Sequence, residues 1–442
     1  MRSPGKAVFP FMCVLISTLV ASLAIADSES DKLRAAVDQQ AGAAESDVIA
    51  WRRHFHQHPE LSNREFKTSK YIAAQLEELG LEVTTGIAHT GVVGILKGGL
   101  PGPVVAIRAD MDGLPVTEAL NLPFSSNATT TYNGQETGVM HACGHDAHMA
   151  IALGAAKVFA GVRDELPGTV MFVFQPAEEG APTGEKGGAK LMLEEGLFDQ
   201  TRPDAIFALH AWSPVSAGVI QSRSGPLWAS YDNFQIVVKG RQTHASRPWQ
   251  GIDPVVVASQ IVLALQTIAS RQVDVTMAPS VISIGSIHGG IRNNIIPDQV
   301  EMLGTVRAFD TGMRNDILER IEVTAGSIAE SAGTEADVNI SYGYPVTKND
   351  PELAVGAMSL LEDVLGSQYV QRAPLTTGAE DFSYFAQEVP GFYFLLGVTP
   401  PDQNPATAPA NHSPLFFIDE SALMVGLRSM SHLTAAFLTG EL

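Results

Sequence analysis

An alternation of short apolar runs with helical segments, interrupted once near Trp228, constrains this chain more than any other feature. Before the interruption, Val92 to Leu96, Val104 to Ala109, Thr169 to Phe174 and Ala205 to Leu209 read as buried strands. Between them, Glu65 to Leu79, Met149 to Phe159 and Gly187 to Glu195 read as helices. The first places Phe66, Tyr71, Ile72, Leu76 and Leu79 at helical spacing and meets a natural stop at Gly80. Strands alternating with helices predict an α/β layer fold around a mixed, largely parallel sheet. After Trp228 the predicted order is strand Asn233 to Lys239, helix Asp253 to Ser270, strands Ser280 to Ser286 and Gln299 to Phe309, helix Thr311 to Ala332 and strand Ala336 to Tyr342. That is the β-α-β-β-α-β order of a ferredoxin-like unit. The first style resumes after Pro345, through Leu353 to Leu365, Phe392 to Leu396 and a C-terminal helix from Glu420. A discontinuous domain over 27–227 and 343–442, with an inserted domain over 228–342, is therefore expected.

Residues 1–26 have the pattern of a cleavable signal peptide. Arg2 and Lys6 precede an apolar run from Val8 to about Ala24, and Ala24-Ile25-Ala26 supplies a small-residue cleavage site. The run is short for a bilayer span of roughly 20 residues, and no later stretch is expected to reach that length. A secreted or periplasmic protein beginning at Asp27 is expected. Of the two cysteines, Cys13 would leave with the signal peptide. Cys143 would remain without a disulfide partner in a compartment that permits disulfides. The net charge of −20, with no basic run, argues against nucleic acid and anionic membranes as partners.

The chemistry is concentrated in two places. Met140 to His148 packs Cys143, three histidines and Asp146 into one short run. Gln175-Pro176-Ala177-Glu178-Glu179-Gly180 follows an apolar strand. Alone, Cys143 reads as a small buried apolar residue; Gly144-His145-Asp146 beside it turns the reading to a metal ligand. If Glu178 and Glu179 continue their strand, they point to opposite sides. One then binds metal while its neighbour faces the attacking water. His210 ends the run Ala205 to Leu209, where open α/β sheets place ligands. His412 lies in a late proline-rich loop and closes the site from the other side. The cluster His54, His56 and His58 reads as packing and hydrogen-bonding residues, His148 as structural and His141 as supporting the site from behind. Two divalent ions roughly 3.5–4 Å apart suit amide hydrolysis, with one carboxylate outside their coordination moving the proton.

These stretches resemble the co-catalytic metallopeptidase superfamily of aminoacylases and carboxypeptidases. The resemblance is to its hippurate hydrolase and indole-acetyl-amino-acid hydrolase branch. The matching motifs run in family order. They are Arg52 to Leu61, Arg108 to Pro115, Met140 to His148, Gln175 to Glu179, Gly285 to Pro297, Gly378 to Ser383 and His412-Ser413-Pro414. The resemblance implies a metallo-exopeptidase-like catalytic domain and an inserted dimerisation (lid) domain, hence a homodimer. It implies metal ligands at Cys143, His145, Glu179, His210 and His412, with Cys143 bridging. Glu178 would be general base and acid, and Asp112 a carboxylate steadying the site. His244 would hydrogen-bond the developing oxyanion, and Asn294 and Arg307 would lie on the substrate side. Zinc is the first choice of metal, with manganese, cobalt and nickel also admitted. The implied reaction cleaves an N-acyl amino acid to amino acid and carboxylic acid. A dipeptidase or carboxypeptidase acting on short peptides is the alternative. Two departures fall in the inserted domain: Gln242-Thr243 stands where the family carries Gly-Gly, and Trp249 follows Pro248 where a histidine is common. Trp249 hints at an apolar or aromatic substrate pocket.

Overall fold

A computed structural model describes the backbone of residues 12–442 and the side chains from residue 30. The expected signal peptide therefore lies outside the residues whose side chains are described. A helix spans Met12–Gln57. Leu33, Val37, Ala41, Ala44, Val48, Trp51 and Phe55, spaced three or four apart, are all buried along one stripe of it. That stripe packs on the helices His145–Gly161 and Ser421–Leu438. The helix His145–Gly161 is buried nearly throughout, its stretch from Met149 to Ala156 wholly apolar, as suits a helix enclosed by others and by a sheet.

The sheet has eight strands in the order Glu82–Ile87, Gly91–Lys97, Pro167–Gln175, Leu100–Asp110, Ala205–Ser216, Gly391–Thr399, Ile220–Ser222, Val370–Arg372. Its centre is parallel: Leu100–Asp110 pairs in parallel with Pro167–Gln175 and with Ala205–Ser216, which pairs in parallel with Gly391–Thr399. Antiparallel strands lie toward the edges, so the sheet is mixed and largely parallel as predicted. Apolar side chains on both faces explain the near-continuous apolar runs of the central strands.

Three boundaries differ from the sequence reading in ways that matter. Helix His145–Gly161 begins four residues before Met149, so His145 opens the helix and does not sit on a loop before it. The strand expected to end at Leu209 runs on to Ser216. Its pairing with Leu100–Asp110 ends at Arg108↔Ala208, while the strand Gly391–Thr399 supports it further. His210 therefore stands just past one neighbour and beside another. The strand before the glutamate pair ends at Gln175, so Glu178 and Glu179 do not continue it.

The segment from Asp232 to Tyr342 forms a four-stranded antiparallel sheet. Its order is Ser280–His288, Gln299–Ala308, Asp232–Lys239, Ala336–Tyr342. Numbered along the segment, the strands lie 2-3-1-4, the ferredoxin-like arrangement. Helices Pro254–Thr267 and Thr311–Ser331 cover one face, and Phe234, Ile236, Val238, Ile261, Leu265, Ile317 and Ile321 form an apolar cluster of their own. Asp253 caps the first helix by accepting from the N–H of Val255 and Val256, with Pro254 at the first turn. Asp310 caps the second by accepting from Met313 N–H. The expectation that no later stretch reaches bilayer length needs correcting. Pro254–Gln272 is 19 residues long and apolar enough to cross a membrane by length and composition, with one third of it buried. Its buried face is Val257, Ala258, Ile261 and Leu265, while Val255, Val256 and Leu263 are exposed.

Candidate metal centre and active site

The site begins where the backbone turns tightly into the helix at His145. Gly144 has φ +97°, and a Cβ there would stand 2.6 Å from the Cβ of Ala211. Only glycine meets both conditions without strain. This turn sets Cys143 and His145 facing His210. Cys143 Sγ lies 3.3 Å from His210 Nε2 and 3.2 Å from His412 Nε2. His412, at φ +70°, is fixed by its N–H donating to Ala142 O at 2.8 Å. Asn411 clamps the same loop by donating to the carbonyls of Cys143 and Ala211 and accepting from Ser213 N–H.

His145 and His210 each turn Nε2 toward the donor cluster and commit Nδ1 to a backbone carbonyl. His210 Nδ1–H donates to Ala211 O at 2.8 Å, and His145 Nδ1–H donates to Asp112 O at 2.8 Å. Both Nε2 atoms are thereby left as acceptors, the form a metal ligand needs. His148 has neither nitrogen free. Its Nδ1 lies 2.5 Å from Asp110 Oδ1 and its Nε2 accepts from Ala211 N–H at 2.7 Å, which makes it structural as expected. His56 sits on Asp146 and Glu118, and His54 stacks on Tyr71 at 3.9 Å, so the early histidine cluster is packing and hydrogen bonding. His141 is buried with no hydrogen-bond partner on either nitrogen.

Asp112 holds the glutamate pair. Its two oxygens accept the N–H groups of Glu178 and Glu179 at 3.1 and 3.0 Å, and Ser62 donates to it at 2.7 Å. With Ala177 at φ +52°, a turn and not a strand carries the pair. The sequence expectation that they point to opposite sides is corrected: a carboxylate oxygen of each lies within 4.8 Å of the other and of a His145 ring nitrogen. Glu179 reaches the Cys143–His412 side, while Glu178 lies within reach of Glu380 and Asp381. Burial pushes the Glu178 carboxyl well above the usual carboxylate range, helped by Glu380, Glu179 and Asp381.

The residues form two triads that share Cys143: Cys143, His145 and His210, and Cys143, Glu179 and His412. The set fits a pair of divalent cations on direct grounds. His145 Nε2 and Glu179 Oε1 are buried with no hydrogen-bond partner. His412 Nε2 also approaches Glu179 Oε1 to 3.1 Å without hydrogen-bond geometry. A divalent cation between these converging atoms would satisfy them together. Burial opposes charge on His145, but Asp110, Asp112 and Glu179 outweigh it and hold the ring up at about 10.

Behind the donors lies a layer that was not singled out residue by residue from sequence. Arg108, fully buried, donates to Gln175, Asp110, Glu380 and Asp381 at 2.7–3.1 Å. Tyr393 donates to Glu380 at 2.6 Å, and Gln175 donates to Asp381. Only the motifs Arg108 to Pro115 and Gly378 to Ser383 pointed toward it.

The residues proposed for the substrate side lie in the inserted unit. His244, on the short strand Thr243–His244, is exposed, and its Nδ1 accepts from Ser246. That strand pairs with Ile295–Ile296, and Asn294 O accepts from Ala245 N–H, so His244 and Asn294 are neighbours. No hydrogen bond or ring contact among the described residues joins His244 to the donor cluster. Arg307 is half-buried over the ring of Tyr231, 4.3 Å from its centroid.

The model of peptidase family M20/M25/M40 matches residues 106–436, which include every proposed metal ligand. The chain belongs to this family. A thermostable carboxypeptidase of Saccharolobus solfataricus is 40% identical over 392 residues, covering 88% of this chain and 95% of that one. An N-acetyl-L-cysteine deacetylase of Bacillus subtilis is 37% identical over 380 residues, covering 86% and 85%. Among solved structures, the Bacillus subtilis YXEP protein, described as a dinuclear metal-binding peptidase of the M20 family, superposes with a TM-score of 0.74 at 36% identity. It covers 90% of this chain and 99% of that one. Family and donor geometry agree on a metal-dependent hydrolase of amide bonds with a site for two divalent ions.

Proposed function

We propose that this protein is an N-acyl-amino-acid amidohydrolase, releasing the amino acid and the acyl carboxylic acid. The observation that carries the reading is the convergence of two donor triads on one sulfur, with the spare carboxylate of Glu178 beside them. The deacetylase relative supports the substrate class. Cys143, His145 and His210 would hold one ion, and Cys143, Glu179 and His412 the other. Zinc suits the thiolate and imidazole donors best. When bound, the ions acidify a shared water and polarise the scissile carbonyl. Glu178 takes the proton from that water and hands it to the leaving nitrogen. Asp112 is a positioning residue, holding both glutamates by their backbone N–H groups. Arg307, with no ion-pair partner among the described residues, meets the free α-carboxylate of the substrate. Asn294, next to His244, is assigned to the substrate side as well.

Residues 228–342 act as an inserted lid and dimerisation domain. The exposed apolar positions Val255, Val256 and Leu263 support an interface with a second copy. His244 then reaches the partner's site, which accounts for its exposure here. The amino-terminal pattern supports secretion or export to a periplasm, with cleavage after Ala26.

Carboxypeptidase relatives keep a second reading open, hydrolysis of short peptides. Metal-reconstituted protein offered N-acetyl and N-benzoyl amino acids beside dipeptides should cleave the acyl amino acids. Turnover of dipeptides alone would overturn the assignment. Mixing inactive His244→Ala and Glu178→Gln proteins should restore about a quarter of wild-type turnover through hybrid dimers. No recovery despite hybrid formation would refute action across the interface.

A further inference from the structure

The chain crosses between the two units twice, at Tyr231-Asp232 and at Gly343-Tyr344, and the crossings are bolted together. Tyr231 N–H donates to Tyr344 O at 2.9 Å. Arg314 from the helix Thr311–Ser331 donates to both oxygens of Asp232 at 2.6 and 2.7 Å, and Gly343 N–H donates to Asp232 at 3.2 Å. Tyr384, from the catalytic side, donates to Gly343 O at 3.1 Å. Out of this junction the side chain of Tyr344 reaches into the active site. Its hydroxyl donates to the carbonyl oxygen of Glu178 at 2.8 Å. The ring is wedged edge-to-face between Tyr231 and Tyr384, at 6.4 and 6.1 Å between centroids.

One peptide plane feels the result. The carbonyl of the Glu178–Glu179 peptide accepts from Tyr344, and its N–H donates to Asp112 at 3.0 Å. The plane is gripped from both sides, next to Ala177 in the left-handed region. Rotation of that plane would swing the Glu178 and Glu179 side chains together. Asp112 grips it from the catalytic domain, and Tyr344 grips it from the junction with the inserted unit.

The geometry points to Tyr344 as a positioning residue that transmits the posture of the inserted unit to the proposed base Glu178. This rests on the hydrolase reading above. A base displaced by about 1 Å can lose up to 10²-fold in rate without any change in its own chemistry.

The test is kinetic, on the full metal-loaded protein with an N-acetyl amino acid. Tyr344→Phe keeps the ring packing and removes only the hydroxyl. It should lower kcat about tenfold while KM and metal content stay at wild-type values. Arg314→Lys, which loosens the bolt at Asp232, should lower kcat about threefold, and that loss should vanish in the Tyr344→Phe background. Unchanged kcat in Tyr344→Phe, or fully additive losses in the Arg314→Lys double variant, would overturn the inference. Glu178→Gln run alongside reports separately on the base: full turnover there would remove Glu178 as the base, and no turnover of N-acetyl amino acids by the wild type would remove the hydrolase reading.

Discussion

Replacing Glu178 with glutamine is expected to lower turnover by about 10²–10⁴-fold while leaving bound metal unchanged. Glutamine has the same shape but cannot accept and return a proton. The turn that carries it is held by backbone groups, through Asp112 and Tyr344, so the substitution leaves Glu179 in place. A second consequence separates this expectation from simple damage. Glu178 is buried beside Glu380, Glu179 and Asp381, whose charges oppose its own. Folding of the metal-free protein holds this carboxyl protonated at a pH where the unfolded chain ionises it; glutamine removes that cost and should raise the melting temperature at neutral pH as activity falls. Lost activity with lowered stability would point to misfolding, and retained activity would remove Glu178 from the chemistry.

Arg108→Met is expected to cost about 3–5 kcal/mol of stability, as loss of one partner from a buried ion pair does. Among the described residues, Arg108 is the one cation whose donors reach Asp110, Glu380 and Asp381 together, all three buried. Burial works against its charge, yet those carboxylates hold it well above its ordinary value. Without it, Asp110 loses one partner and its grip on His148 weakens, and His148 supports the strand beside His210 through Ala211 N–H. Urea unfolding of the metal-free protein measures the loss. A change below about 1 kcal/mol would show that the carboxylates do not depend on Arg108.

The contrast between these two residues shows what could be read from the chain. Glu178 stands in a short motif whose donor types and spacing announce metal chemistry, and so do Cys143 and His145. The layer around Arg108 shows locally only as two separate motifs, because its partner Glu380 is 272 residues away in sequence. Polar groups buried by tertiary approach leave no periodic trace. The same holds for Asn411, which clamps the Cys143 loop from 268 residues away, and for Tyr344 over Glu178. The elements themselves were legible because their periodicity is local. The helix Phe66–Glu78 and the whole β-α-β-β-α-β order fall where the apolar pattern puts them. Boundaries moved where tertiary support extended an element. The strand through His210 runs to Ser216 because Gly391–Thr399 pairs with it there.

The central claim is that Cys143, His145, Glu179, His210 and His412 hold two divalent ions, with the sulfur shared. Elemental analysis of dialysed, metal-reconstituted protein tests it most directly, wild type beside Cys143→Ala. The shared sulfur predicts about two equivalents per chain in the wild type and fewer than about one in Cys143→Ala, since both triads lose a donor. Two equivalents retained by Cys143→Ala, or at most one bound by the wild type, would contradict it.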